Sequence, residues 1–335
     1  MVYKTIHVLS QIPQLFETTV KALPNCQIIN IGLTEWSGKF DLNLNIGDQE
    51  ISDLQEANIV FGDPNLLAQT LHKLPNVEWM QNTWAGIDWY VNWLSKSGQK
   101  PPQHLITRFS GESFGQSMFE YTIGHIIINE RNFFKDYINS KLNKKWEKNI
   151  VWDFKCINEM TICILGGTGA IGTYMANKFQ TLGARVLAYG RSQRTGLSID
   201  KYSTKLDDVL PDCDYLISVL PSTPQTTGLL NNDILKLCAA KKPVFINIGR
   251  GSVIAESEII KALNNQWISG AVLDVFECEP LPDSSPLWSH PKVTITPHNS
   301  AITRPKDCVK VFVDNYQKFL SKQPMLYTID WNRGY

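Results

Sequence analysis

Residues 161 to 172 read Thr-Ile-Cys-Ile-Leu-Gly-Gly-Thr-Gly-Ala-Ile-Gly, and no other segment restricts the fold so strongly. A short apolar run leads into Gly167-x-Gly169-x-x-Gly172, and a helical pattern follows from Ala170. Glycines at this spacing permit a tight turn, close approach of backbone to a pyrophosphate and close packing of helix on strand, with the helix N-terminus facing the phosphates. Gly167, Gly169, Ala170, Ile171 and Gly172 are therefore the expected dinucleotide contacts. The flanking sequence keeps the same rhythm. Strand-like segments at 161–165, 185–189, 214–218, 244–248 and 268–274 alternate with helix-like ones at about 170–182, 231–237 and 255–263. That alternation predicts a doubly wound parallel sheet, and the apolar strands suit burial on both faces.

At 335 residues the chain exceeds what one hydrophobic core usually serves, so two domains are expected. In the first half, 3–9, 26–31 and 57–61 read as strands of a second α/β unit, and Lys100-Pro101-Pro102 as a hinge. A long helix is expected from about Ser113 to Lys141, and another from Thr303 to Leu320. Val309, Phe312, Val313, Tyr316 and Leu320 recur there at spacings of three or four, an apolar face that must pack on something. A formal net charge of zero gives no electrostatic footprint for nucleic acid. No run approaches the ~18–20 apolar residues of a membrane span, and the N-terminus lacks the pattern of a signal peptide. The expected location is the cytoplasm. The seven cysteines form no CxxC pair, so reduced thiols are expected and no metal site.

About twenty residues beyond the glycines, an NAD-binding chain places an acid on the adenosine ribose. Here that place holds Gly190, followed by Arg191, Ser192, Gln193 and Arg194. With no carboxylate to repel it, a 2′-phosphate would sit among two guanidinium groups and a hydroxyl, so NADPH is expected to be used better than NADH. A solvated basic turn is the alternative.

Three later segments end predicted strands: Asn247-Ile-Gly-Arg-Gly251, Asp274-Val-Phe-Glu-Cys-Glu-Pro280 and Thr296-Pro-His-Asn-Ser300. Ligands bind at the C-terminal strand ends of open α/β sheets, so Arg250, Glu279 and His298 are expected to converge. Any one of them alone would be unremarkable.

With these residues assembled, the chain resembles the D-isomer-specific 2-hydroxyacid dehydrogenases over essentially its whole length. The glycine loop, Leu220-Pro-Ser-Thr-Pro-Gln-Thr-Thr-Gly228, the Arg250 segment, Asp274–Pro280 and Pro297-His-Asn-Ser-Ala-Ile-Thr-Arg-Pro305 recur in that family's order. Trp79-Met80-Gln81, Ala85-Gly-Ile-Asp88, Pro286-Leu-Trp288 and Arg333-Gly-Tyr335 bring it nearest to bacterial members that reduce glyoxylate and hydroxypyruvate. The resemblance implies two Rossmann-like doubly wound parallel-sheet domains with a cleft between them. Residues 1–105 plus 300–335 would form a discontinuous substrate-binding domain, and 106–299 the cofactor domain. It also implies a homodimer built on the cofactor domains, with the long helix and the Trp146 region as contacts, ordinary packing within one subunit being the alternative for the helix.

For chemistry, the implied activity is NADPH-dependent reduction of glyoxylate to glycolate and of hydroxypyruvate to D-glycerate. Hydride delivery to a carbonyl carbon leaves negative charge on the oxygen, which needs a proton and a positive neighbour. His298 is the expected acid, since an imidazole titrates near neutrality, and Glu279 would fix its tautomer. Arg250 would hold the carboxylate and carbonyl oxygens of a small 2-oxo acid. By resemblance, the backbone amides of Ala85, Gly86 and Ile87 meet the other side of that carboxylate, and Trp84 either walls the pocket or packs in the core. Leu220, Pro221, Thr226, Ile248, Gly249 and Ser300 complete the cofactor contacts. Asp274 would accept a hydrogen bond from the nicotinamide carboxamide, or else cap its strand. Phosphoglycerate- or lactate-type dehydrogenases, and corepressors that share the fold, are the competing readings.

Overall fold

The computed structural model describes residues 4–34, 37–146, 154–194 and 199–334; Tyr335 of the terminal triplet lies outside them. The chain divides into two compact units, one made of the stretch up to Ser110 with the stretch from Thr303 onward, the other of Gly111–Ile302.

In the first unit, β1 (Ile6–Leu9), β2 (Ile28–Asn30), β3 (Ile59–Gly62), β4 (Trp79–Asn82) and β5 (Leu105–Thr107) form a parallel sheet in the order β2-β1-β3-β4-β5. Helices α1 (Leu15–Ala22), α2 (Asp48–Asp53), α3 (Pro64–Leu67) and α4 (Asp88–Ser97) lie along the same stretch of chain. The strand order reverses between β1 and β3, and there the buried Asp63 ties the strand ends together. Its carboxylate accepts Ser10 Oγ–H at 2.8 Å, Gln11 N–H at 2.7 Å and Thr83 Oγ1–H at 2.6 Å. Burial raises this carboxyl to about 6, against the lowering effect of those three donors.

The second unit opens with α5 (Glu112–Glu130) and α6 (Phe133–Tyr137), followed by a single π-helical turn at Ile138–Leu142. The uninterrupted helix expected from Ser113 to Lys141 thus breaks at Asn132, which adopts a left-handed backbone at φ 55°. Strands β6 (Thr161–Leu165), β7 (Arg185–Tyr189), β8 (Lys201–Ser203), β9 (Tyr215–Ser218), β10 (Val244–Asn247), β11 (Gly270–Leu273) and β12 (Val293–Ile295) form the order β12-β11-β10-β9-β6-β7-β8, every pairing parallel. Helices α7 (Ala170–Thr181) and α8 (Glu256–Asn264) connect them. The helix expected at 231–237 is a short 3₁₀ turn, Ile234–Cys238, because Asn232 and Asp233 both hold positive φ, 57° and 62°. Strand order reverses between β6 and β9, the switch point at which doubly wound sheets bind ligands.

The chain then returns to the first unit as α9 (Pro305–Leu320). The face predicted from its periodicity packs through Phe312, whose ring stacks on Phe61 at 4.4 Å and on Trp79 at 5.2 Å between centroids. Asn315 fastens the seam by donating to Gln81 Oε1 at 3.0 Å and accepting from Leu326 N–H at 2.7 Å. Lys100-Pro101-Pro102 lies within this unit, ahead of β5, and the crossing comes at Gly111, with φ 94°.

Candidate active site

The glycine turn follows β6 directly. Gly169 is the N-cap of α7 and offers no side-chain acceptor, so the first-turn amides at Ala170 and Ile171 await an acceptor from elsewhere. Gly172 is fixed by packing: a β-carbon there would lie 2.2 Å from the Gly166 carbonyl oxygen. This is a cradle that backbone alone can line, and it fits a dinucleotide pyrophosphate.

At the end of β7, Gly190 is buried and crowded. A β-carbon would stand 2.7 Å from the Tyr202 hydroxyl and 2.9 Å from Thr168 Oγ1. The carboxylate typical of NAD binding therefore has no room without displacing side chains. Tyr202 Oη also donates to the Ser192 carbonyl at 2.5 Å, shaping the turn whose Arg191, Ser192 and Arg194 are exposed. Neither Thr168 nor Tyr202 is legible as a site residue from the sequence, since both act from neighbouring segments.

Across the switch point, Val219 N–H donates to the Leu165 carbonyl at 3.0 Å, which sets the 219–228 loop beside the glycine turn. Leu220 is buried, and the Thr226 hydroxyl donates to the Pro221 carbonyl at 2.6 Å while accepting from Thr223 N–H at 2.9 Å. These side chains shape the loop. Ile248 is likewise buried, and Ile248 N–H donates to Ser218 at 3.1 Å.

Arg250 follows β10. A β-carbon on Gly251 would fall 1.9 Å from the Phe276 carbonyl carbon, so the 250–251 backbone is pressed against the segment that carries Glu279. Arg250 Nη1–H donates to the Gly249 carbonyl at 2.7 Å, and Asn247 Nδ2–H to the Arg250 carbonyl at 3.1 Å.

Glu279 and His298 meet: His298 Nδ1 lies 2.7 Å from Glu279 Oε2, and Glu279 Oε1 accepts Phe276 N–H at 2.9 Å. Burial pushes the Glu279 carboxyl up, but the hydrogen bond and charge of His298, the Phe276 amide and the Arg250 guanidinium together hold it below its usual range. An ionised carboxylate only accepts, so Nδ1 carries the proton of the neutral imidazole and Nε2 is the nitrogen left to exchange one. The His298 side chain is 51% exposed, open to a reactant.

Asp274 is fully buried at the end of β11. Its Oδ1 accepts Thr296 Oγ1–H at 2.6 Å and Asn299 N–H at 2.9 Å, and its Oδ2 accepts Ser300 N–H at 2.9 Å. It is thus engaged as a clamp on the segment that carries His298.

In the first unit, Trp84, Ala85 and Gly86 follow β4 and are partly exposed, while Ile87 is buried as the N-cap of α4. Arg108 Nη1–H donates to the Ala85 carbonyl at 2.9 Å, and Phe109 N–H to the Trp84 carbonyl at 3.2 Å. Phe40, absent from the sequence expectations, packs on Trp84 at 5.8 Å between centroids. Its loop is held by buried amides: Gln11 exchanges two hydrogen bonds with the Asp41 backbone, at 2.9 and 2.8 Å, and Asn65 donates to the Leu42 carbonyl at 3.1 Å. Such amide-to-backbone tethers leave no periodic trace in a sequence.

Comparison with known proteins identifies the family. The family model described as D-isomer specific 2-hydroxyacid dehydrogenase, NAD binding domain, matches residues 124–300. The chain is 30% identical over 254 residues to glyoxylate/hydroxypyruvate reductase A of Klebsiella pneumoniae (strain 342), covering 75% of this chain and 80% of that one. A crystal structure of a D-isomer specific 2-hydroxyacid dehydrogenase family protein from Aeromonas salmonicida is similar at a TM-score of 0.80 and 31% identity, covering 98% of this chain and 99% of that one. A probable 2-hydroxyacid dehydrogenase from Rhizobium etli, solved in complex with NADP, is similar at a TM-score of 0.77 and 25% identity, covering 99% and 100%.

Proposed function

Because this chain belongs to the D-isomer-specific 2-hydroxyacid dehydrogenase family, and so is an NAD(P)-dependent oxidoreductase, we propose that it reduces glyoxylate to glycolate and hydroxypyruvate to D-glycerate with NADPH. The observation that carries this reading is the His298–Glu279 pair at 2.7 Å, with the Arg250 charge acting on the same carboxylate. When bound, the nicotinamide supplies a hydride. Gly167, Gly169, Ala170, Ile171 and Gly172 would hold the pyrophosphate, and Arg191, Ser192 and Arg194 a 2′-phosphate. Leu220, Pro221, Thr226, Ile248, Gly249, Asp274 and Ser300 would complete the cofactor contacts.

Arg250 binds the carboxylate and polarises the carbonyl of the 2-oxo acid, and a rigid guanidinium fork suits both oxygens. His298 donates the proton on Nε2 to the oxygen that gains charge, and Glu279 stabilises the imidazolium beforehand and keeps Nδ1 protonated afterwards. In the first unit, Ala85, Gly86 and Ile87 are the proposed amide donors to the substrate carboxylate. Preference for glyoxylate and hydroxypyruvate draws on the named activity of the Klebsiella relative. The Rhizobium structure with NADP and the crowded Gly190 support NADPH.

We place the enzyme in the cytoplasm as a homodimer joined through its cofactor-binding unit. Phe133, Phe134, Tyr137, Leu142 and Trp146 are all exposed, Trp146 at 88%, an apolar run that suits a second copy. Light scattering should give twice the 38.0 kDa chain mass, and a monomer would refute the dimer. The functional test is kcat/KM for glyoxylate, hydroxypyruvate, pyruvate and 2-oxoisocaproate, each with NADPH and NADH, with chiral analysis of the glycerate. Preference for the branched acid, or L-glycerate as product, overturns the assignment.

A further inference from the structure

We propose that Tyr121 and Thr296 are positioning residues of the reaction, the outer members of a one-way hydrogen-bonded chain through Asp274 that fixes the segment presenting His298. The inference rests on the proposed role of His298 as the proton donor.

The chain has a direction that follows from proton counting. Asp274 Oδ1 accepts the Thr296 hydroxyl at 2.6 Å, and an ionised carboxylate has no proton to return. The single proton of Thr296 Oγ1 is thereby committed, so its lone pairs accept the Tyr121 phenol, 2.6 Å away. The order is Tyr121 to Thr296 to Asp274, linking α5, the start of the His298 segment and the end of β11.

That segment depends on Asp274 at every turn. Thr296 through its hydroxyl, Asn299 and Ser300 through their amides, and His298 through its amide at 2.9 Å to the Asp274 carbonyl all close on one residue. They hold His298 at φ 50°, a left-handed conformation that residues with side chains rarely adopt. Without those bonds the local backbone preference would carry the imidazole elsewhere.

The groups around Asp274 keep the chain intact at working pH. Burial first, and then the Asp274 charge, push the Tyr121 phenol up to about 12, against the hydrogen bond to Thr296, so it remains a donor. His125, on the same helix with its ring 4.4 Å from that of Tyr121, is held below its usual range by burial, against the opposing pull of Asp274.

Three variants and one double variant test this. Thr296→Val keeps the shape and deletes the hydroxyl, Thr296→Ser keeps the hydroxyl and deletes the methyl, and Tyr121→Phe removes the outermost donor. Displacing a reacting group by about 1 Å costs on the order of a hundredfold, so a smaller tilt of His298 should lower kcat by roughly tenfold in Thr296→Val. Tyr121→Phe should lose less, about threefold, and Thr296→Ser should stay within about threefold of wild type. KM for glyoxylate, NADPH binding by fluorescence and thermal midpoint should move little in all three. Because the two hydroxyls act in series, Tyr121→Phe/Thr296→Val should be no slower than Thr296→Val alone. Wild-type kcat in Thr296→Val, a Thr296→Ser as slow as Thr296→Val, or additive losses in the double variant would overturn the chain while leaving the functional reading intact. A wild-type protein that turns over no 2-oxo acid would overturn both.

Discussion

Replacing Gly251 by alanine adds one carbon where the molecule has no space for it. The new β-carbon would stand 1.9 Å from the Phe276 carbonyl carbon, 2.0 Å from its oxygen and 2.5 Å from Glu277 N. All three are backbone atoms, so no rotamer change relieves the clash. Restoring ordinary contact near 3.4 Å requires the two backbones to separate by about 1.5 Å. That movement separates Arg250 from the turn in which Phe276 N–H holds Glu279, and through Glu279 it disturbs His298. Overpacking of this kind costs about 1–3 kcal/mol of stability, and misplacement of a reacting group by ~1 Å costs about 10² in rate. The expected variant is folded, with a lowered urea midpoint, binds NADPH through its untouched glycine turn, and reduces glyoxylate about a hundredfold more slowly. A Gly251→Ala protein with kcat within twofold of wild type would refute the claim that this close approach aligns Arg250 with Glu279 and His298.

Changing Arg191 and Arg194 together to alanine should erode the NADPH preference in kcat/KM by removing charge-assisted phosphate contacts worth roughly 1.5–3 kcal/mol each; equal use of both cofactors by the wild type would refute the phosphate site. Phe312→Ala deletes a fully buried ring stacked on Phe61 and Trp79 and should cost about 3–5 kcal/mol in urea unfolding; a loss under ~1 kcal/mol would mean α9 is not seated on the sheet as described. The Asp63 carboxyl, raised from 3.8 to about 6, binds its proton more tightly in the folded state, so its stabilising contribution is complete below about pH 4 and disappears as pH rises through 6, a change of about 3 kcal/mol. Stability of wild type relative to Asp63→Asn should therefore decline across that window, and a difference independent of pH would contradict it.

The glycine turn and the segments bearing Arg250, Glu279 and His298 were readable because each couples an apolar strand to a short polar end, and strands β6, β7, β9, β10 and β11 are apolar on both faces. β4 escaped notice as a strand since its buried positions include Gln81 and Asn82, whose side-chain oxygens accept from Thr107 and Asn315 and from Tyr90 respectively, contacts that the local residue pattern does not encode. β8 and β12, three residues each at the two sheet edges, are too short for a periodic signal. The break at Asn132 hides for a different reason: an asparagine tolerates either helical or left-handed backbone, and only the surrounding packing selects one. Asp274 shows how a residue type leaves its role open. Its sequence position allowed a cofactor contact or a strand-end cap, and only the geometry reveals three donors from residues 296–300 converging on it. Phe40, Tyr121 and Tyr202 contribute through contacts across the fold, which spacing along the chain does not encode.

The central claim is that His298 supplies the proton for carbonyl reduction, oriented by Glu279 at 2.7 Å. Its most direct test is kcat for glyoxylate with saturating NADPH in wild type and His298→Gln, alongside a fluorescence titration of NADPH binding to both. Removal of a positioned acid should lower kcat by about 10²–10⁴ with the NADPH Kd changed by less than about threefold. A His298→Gln enzyme that keeps near-wild-type kcat would contradict the account.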